Sequence, residues 1–259
     1  MIHGYSNYKE LIISLAKTDF KLRYQGSFLG YIWAIIKPLS LFAILNFVFS
    51  SVFNANNNGI PYYSLELLTG LLLFNFFAEG TSAGLSAFVT KSQLVTKVYV
   101  PRWTLLIAST LNSFFIFLAN LLVLILFFGF YDKVPTWQGV LVFALFIFFL
   151  YILIAAFTFL VAPLYVRYRD LSMIWEVALS VLMYASPIVY PISIMSPTMQ
   201  QILLINPVAF IIHFSKQALI SNHFATLGQM GLFIMGLAGL FGFCFLMYRK
   251  TVQGIAEYL

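Results

Sequence analysis

The chain has 259 residues, of which 62% are hydrophobic and 8% charged, with a formal charge of +6. A soluble domain carries about 25% charged residues, so this composition leaves too little polar surface to face water and excludes a soluble globular protein. The lone cysteine, Cys244, excludes an intrachain disulfide and a multi-cysteine metal site, and the basic residues are too dispersed to form a nucleic-acid face.

The first element, Met1 to Gln25, is polar and mixed in charge. Wound as a helix it places Glu10, Ser14, Lys17 and Lys21 on one stripe. Tyr8, Leu11, Ile12, Leu15 and Leu22 lie opposite, interrupted by Asp19. This pattern predicts an amphipathic helix on the inner membrane surface. Asp19 on the apolar stripe points to a protein contact there. No cleavable signal peptide is visible, so the first apolar run is expected to serve as an uncleaved insertion signal.

Six apolar runs follow that approach the ~20 residues a bilayer-spanning helix needs. They are Trp33–Phe53, Leu65–Val89, Trp103–Phe130, Trp137–Pro163, Ser172–Tyr190 and Leu227–Tyr248. Basic residues alternate between the connections. Lys9, Lys17, Lys21, Arg23 and Lys37 sit on one side, joined by Lys91, Lys97 and Arg102, by Arg167 and Arg169, and by Arg249 and Lys250. The other side has only Lys133 and Lys216. The positive-inside rule then puts both termini in the cytoplasm.

The connection from Pro191 to Thr226 is not a simple loop. It holds Pro191, Pro197 and Pro207, with apolar runs Ile202–Ile205 and Val208–Ile212 that are too short to cross. Such runs predict re-entrant helices capping the outer end of a pathway.

The motifs of several chemistries are missing. There is no G-x-x-x-x-G-K-[ST] phosphate loop and no H-E-x-x-H, and the histidines are His3, His213 and His223 only. Of the carboxylates inside spans, Glu66 and Glu176 lie near span ends. Glu79 is deeper and is the strongest candidate for a buried pair or a cavity wall. Gly80 and Gly84 form a G-x-x-x-G that fits close packing between helices of one chain. Aromatic residues make up 19% of the chain. They serve equally as lipid-facing belts or as a slide for sugar rings.

Five segments, in order, resemble one family. Arg23-Tyr24-Gln25-Gly26-Ser27-Phe28-Leu29-Gly30-Tyr31-Ile32-Trp33, followed by Pro38, resembles the entry into the first span of the type-2 permeases of ABC transporters that export cell-surface polysaccharides. These carry O-antigen, capsule or wall teichoic acid. Val100-Pro101-Arg102 resembles the end of their second-to-third loop, and Tyr165-Val166-Arg167-Tyr168-Arg169-Asp170-Leu171 their arginine–aspartate loop. Ser186-Pro187-Ile188-Val189-Tyr190-Pro191 and Asn206-Pro207 resemble their external segment. Gln25 departs from the family, which often has a basic residue there.

The resemblance implies an all-α integral membrane permease of six transmembrane helices in a single domain over residues 1–259. Within it, 1–28 would form the amphipathic helix, 29–190 spans one to five, 191–226 the outer gate, 227–248 span six and 249–259 a cytoplasmic tail. It implies a homodimer with two separate ATPase subunits, which would bind the ATP and Mg, and an undecaprenyl-diphosphate-linked glycan as cargo. No cofactor and no metal is expected in this chain. Asp19, Lys91, Lys97, Arg102, Arg167, Arg169 and Asp170 would couple to the ATPase. Arg23, Tyr31, Trp33, Lys37, Glu79, Tyr190 and His213 would line the substrate pathway, with Lys37 and Arg102 meeting the lipid diphosphate or simply anchoring the inner face. The alternative is an integral-membrane enzyme that modifies lipid-linked glycans, although no catalytic set is visible.

Overall fold

The computed structural model describes residues 8–26, 28–54, 62–97, 100–252 and 255, with the backbone alone for Tyr24, Tyr31 and residues 51–54. It is an all-α membrane protein. Among the described residues ten helices follow in order: α1 Tyr8–Tyr24, α2 Trp33–Asn54, α3 Tyr63–Thr90, α4 Ser92–Lys97, α5 Arg102–Phe130, α6 Trp137–Arg167, α7 Leu171–Tyr184, α8 Pro197–Ile205, α9 Pro207–Lys216 and α10 Leu227–Thr251. Five of them, α2, α3, α5, α6 and α10, are long and apolar enough to cross a bilayer.

Apolar content decides these helices, and local chemistry decides their ends. Gly26 and Gly30 take left-handed φ angles of 81° and 47° between α1 and α2, where a side chain would be strained. Thr136 caps α6 by accepting from the Gly139 amide, and Thr226 with Gln229 forms a capping box on α10.

The central helix is α3, which packs against α2, α5, α6, α7 and α9. Leu65, Leu67, Leu68, Leu71 and Leu73 are wholly buried on it. The glycine pair Gly80 and Gly84 faces Ile154 and Thr158 of α6. Both pairs are four residues apart, so one small-residue ridge lies along one branched ridge. Trp175 ties α7 to this core: its indole N–H donates to Thr81 Oγ1 at 3.1 Å and its ring lies 3.9 Å from Phe157. By contrast α10 rests mainly on α6, through Phe159 and Tyr248 with ring centroids 5.0 Å apart.

Helix directions collect Lys91, Arg102, Arg167 and Arg249 at one end of the bundle, because they stand at the end of α3, the start of α5 and the ends of α6 and α10. Lys133 belongs to the opposite end, 5.0 Å above the Tyr62 ring.

The fifth predicted span is shorter than its apolar run. The run Ser172–Tyr190 becomes a helix of only 14 residues, Leu171–Tyr184, about 21 Å long. Pro187 and Pro191 have no amide hydrogen, and Ser186 to Tyr190 leave the helix. Their carbonyls are satisfied from other elements. Lys216 Nζ donates to Pro187 O at 2.6 Å and to Ile188 O at 3.1 Å, and Tyr63 Oη donates to Val189 O at 2.7 Å. Irregular backbone in an apolar setting requires this kind of pairing. Lys216 is therefore not the exposed outer charge that the loop count suggested: it is 6% exposed.

Past this stretch, α8 and α9 meet at Asn206 with a bend of 113°. Asn206 makes the corner by accepting from the Val208 amide at 3.0 Å. A π turn, Gln217–Ser221, then runs against the start of α6. Here Gly139 is required, because a Cβ would lie 2.3 Å from the Ala218 carbonyl oxygen.

Candidate functional site

A cavity of about 890 Å³ opens between α1, α2, α3 and α5. From α2 come Trp33 and Lys37, from α1 Arg23, and from α3 Asn75, Glu79, Ser82 and Ser86. The wall on α5 carries Ser113 and Asn120. Phe76 and Phe117 also line it, as a stacked pair with centroids 4.7 Å apart. This is the usual makeup of a ligand cavity: apolar and aromatic walls with a few convergent polar groups.

Charge on the cavity is organised around Glu79. Both its oxygens accept from Arg23, Nη1 to Oε2 and Nη2 to Oε1, each at 3.1 Å. This fork-to-fork pairing answers the cost of a carboxylate within a span, which is about 2.5–3.5 kcal/mol on insertion scales. Lys37 lines the same cavity. On α5, Asn120 Nδ2 donates to Ala34 O and Ile116 O, while Asn120 Oδ1 and Ser113 Oγ have no partner among the described residues.

Arg23, Trp33, Lys37 and Glu79 thus converge on one cavity. Tyr190 and His213, also predicted for the pathway, do not line it. Tyr190 donates its hydroxyl to Tyr184 O at 2.9 Å, and His213 is half-buried on α9 with its ring edge to Phe214. The side chain of Tyr31 lies outside the described residues.

The predicted coupling residues divide in the same way. Asp19 does have a protein partner, but within this chain: Lys91 Nζ donates to Asp19 Oδ2 at 2.5 Å and to Ser109 Oγ at 2.9 Å. Together with the Tyr8–Trp103 ring contact at 5.9 Å, this ion pair holds α1 against the rest of the chain. Arg102 donates its guanidinium to the Val252 carbonyl at the end of α10 and does not line the cavity. Arg169 lies over the Tyr165 ring at 5.6 Å, Asp170 stands at the N-cap of α7, Arg167 ends α6, and Lys97 is exposed in the last turn of α4.

Asp19→Leu is expected to leave Lys91, which is 10% exposed, with Ser109 alone. Losing a charged hydrogen bond of this kind costs about 1.5–3 kcal/mol. Trypsin should then cut at Lys17 and Lys21 several-fold faster than in the wild type. An unchanged cleavage rate would mean that the pair does not hold α1.

Sequence reasoning missed Ser113, Asn120 and Asn75 in this cavity. Their signal was present, since Asn75 and Asn120 are lone polar residues within apolar stretches and Ser113 belongs to a short polar run with Ser109, Thr110 and Asn112, but the sequence does not say which of these faces inward.

The family model for the ABC-2 type transporter matches residues 10–220. The chain belongs to the ABC-2 type transporter family. It is 32% identical over 189 residues to the O-antigen export system permease protein RfbA of Myxococcus xanthus, covering 72% of this chain and 70% of that protein. Two proteins of the same name from Klebsiella pneumoniae are also similar. One is 26% identical over 203 residues, covering 78% and 77% of the two chains. The other is 25% identical over 244 residues and covers 93% of each. The matched part of this ABC-2 chain contains every residue of the cavity and both ion pairs of α1. The family leaves the reading as a glycan-modifying enzyme without support. Among the described residues, no three His, Cys, Asp or Glu side chains group as metal ligands.

Proposed function

We propose that this chain is the transmembrane subunit of an ABC exporter that moves a lipid-linked cell-surface polysaccharide of the O-antigen type across the bacterial cytoplasmic membrane. The observation that carries the cargo class is the similarity, over 93% of both chains, to a relative named as an O-antigen export permease. The cavity supports the path. Aromatic faces suit the C–H surfaces of sugar rings, and the polar wall suits their hydroxyls.

In this reading two copies of the chain pair with two ATPase subunits that bind ATP and Mg. Both termini are cytoplasmic, so α1 and the Lys91–Arg102 connection face the ATPase. The arginines of the Arg167–Asp170 loop lie on the same side. The bent α8–α9 pair forms a re-entrant gate on the outer side, with Tyr190 and His213 near it. ATP-driven closure of the ATPases would push on α1 and the α4 loop and rearrange α2 and α7.

In a strain that lacks this chain, surface polysaccharide is expected to disappear while lipid-linked glycan accumulates inside the cell, and the wild-type gene should restore export. Normal surface glycan in the deletion strain would overturn the reading. The purified chain alone is expected to hydrolyse no ATP, having no phosphate loop, and sustained turnover by the pure chain would contradict the assignment.

A further inference from the structure

The charges on the cavity do not balance. Two cations, Arg23 and Lys37, face one carboxylate, Glu79, and among the described residues Lys37 has neither an ion-pair nor a hydrogen-bond partner. Deeper in, Ser113 is 1% and Asn120 5% exposed, yet among the described residues Ser113 Oγ and Asn120 Oδ1 find no hydrogen-bond partner. Buried polar atoms are almost always satisfied. Both side chains stand on the cavity wall and make that part of it polar. The cation in excess points to an anion.

We propose that Glu79 is a built-in counter-anion for Arg23 that a phosphate-class headgroup replaces, so that cargo binding releases α1 from α3. This rests on the transport reading of the cavity. The guanidinium fork fits carboxylate and phosphate equally well in geometry. Glu79 fills both of its arms. A diphosphate seated between Lys37 and Arg23 brings more negative charge than one carboxylate and neutralises the lysine as well. The exchange is noncovalent.

The consequence for α1 follows from how it is held. Its packing is on α5, and ion pairs from Asp19 and Arg23 carry it to α3 and to Lys91 just beyond. Asp19 and Arg23 are four residues apart, one turn of the same helix. Removing the Glu79 contact leaves one of these tethers. A ligand that takes Arg23 therefore binds the released state better than the latched one, which is what a population shift requires. The released helix stands at the basic end of the bundle, beside α4.

The test uses the complex of this chain with its ATPase in lipid nanodiscs, on a Cys244→Ser background. Spin labels at Ser14→Cys on α1 and Gln93→Cys on α4 report the distance between the two elements. The probes are a polyprenyl diphosphate in the bilayer and inorganic pyrophosphate in solution. The polyprenyl diphosphate is expected to lengthen or broaden the distance. Glu79→Gln should show the released distribution without any probe and bind the lipid several-fold tighter, whereas Lys37→Gln should bind it about tenfold more weakly. A purely structural Glu79 would give no gain in affinity. Release by pyrophosphate as well would assign recognition to the phosphates alone, and release by the lipid only would assign it to the whole headgroup. Unchanged distances with both probes would overturn the proposal, as would weaker binding in Glu79→Gln. A chain that proves not to export glycan would sink the transport reading. Unchanged distances in a chain that does export would sink only the exchange.

Discussion

Replacing Lys216 with methionine is expected to free the segment after α7 while leaving the helical bundle in place. Its ammonium is the donor for the Pro187 and Ile188 carbonyls, and its stem crosses α3 at Gly70, where a Cβ would lie 3.0 Å from Lys216 Cε. Two carbonyls left without a donor in an apolar setting cost about 1–3 kcal/mol each. Part of that returns because an ammonium no longer has to be buried. The balance falls on local order, since Ser186 is wholly buried and Ile188 nearly so only while the carbonyls are held. A cysteine at Ser186, on a Cys244→Ser background, should react with maleimide about tenfold faster or more in Lys216→Met than in its parent. Gly70→Ala, which presses on the lysine stem from the other side, should move the rate in the same direction by less. Equal rates in all three proteins would show that Lys216 pins nothing.

The second large effect is expected at Gly84. A Cβ there would lie 2.0 Å from Thr158 Oγ1 and 2.8 Å from Thr158 Cβ, so turning the threonine rotamer cannot clear the clash. Gly84→Ala must push α3 and α6 apart at the centre of the bundle. Overpacking of this kind costs about 1–3 kcal/mol, and more where backbones are involved. The purified protein should lose several degrees of thermal stability, and Thr158→Ala in the same chain should restore part of it. A Gly84→Ala protein as stable as the wild type would mean that these two helices do not meet at this point.

Much of the architecture was legible because membrane insertion writes it into composition. The length of each apolar run and the alternation of basic residues gave the long helices, and the prolines with Asn206 gave the two short ones. The end of α7 was not legible. The apolar run continues past Tyr184, and although Pro187 interrupts it, only Lys216 and Tyr63, from two distant elements, supply the donors that let Pro187 to Val189 stay buried outside a helix. Lys216 itself looked like a loop cation, since a charge count cannot register burial. Glu79 was recognisable as needing a partner, because a lone carboxylate in a span is costly. That the partner is Arg23 was not, since 56 residues separate them and α1 has to fold back to bring them together. Asp19 stood out on its apolar stripe as a residue in need of a partner, and the partner it meets is Lys91 of the same chain, which periodicity cannot reveal.

The most direct test of the cavity as the transport path is a photoactivatable residue at Ser82, with a second at Lys133 as control, in cells whose ATPase partner binds but does not hydrolyse ATP. Ser82 lines the cavity and Lys133 stands at the opposite end of the bundle beside Tyr62. Light-dependent crosslinking of the lipid-linked glycan at Ser82, and far less at Lys133, is the expected result. Crosslinks at Ser82 to phospholipid alone, in cells that otherwise export glycan, would contradict it.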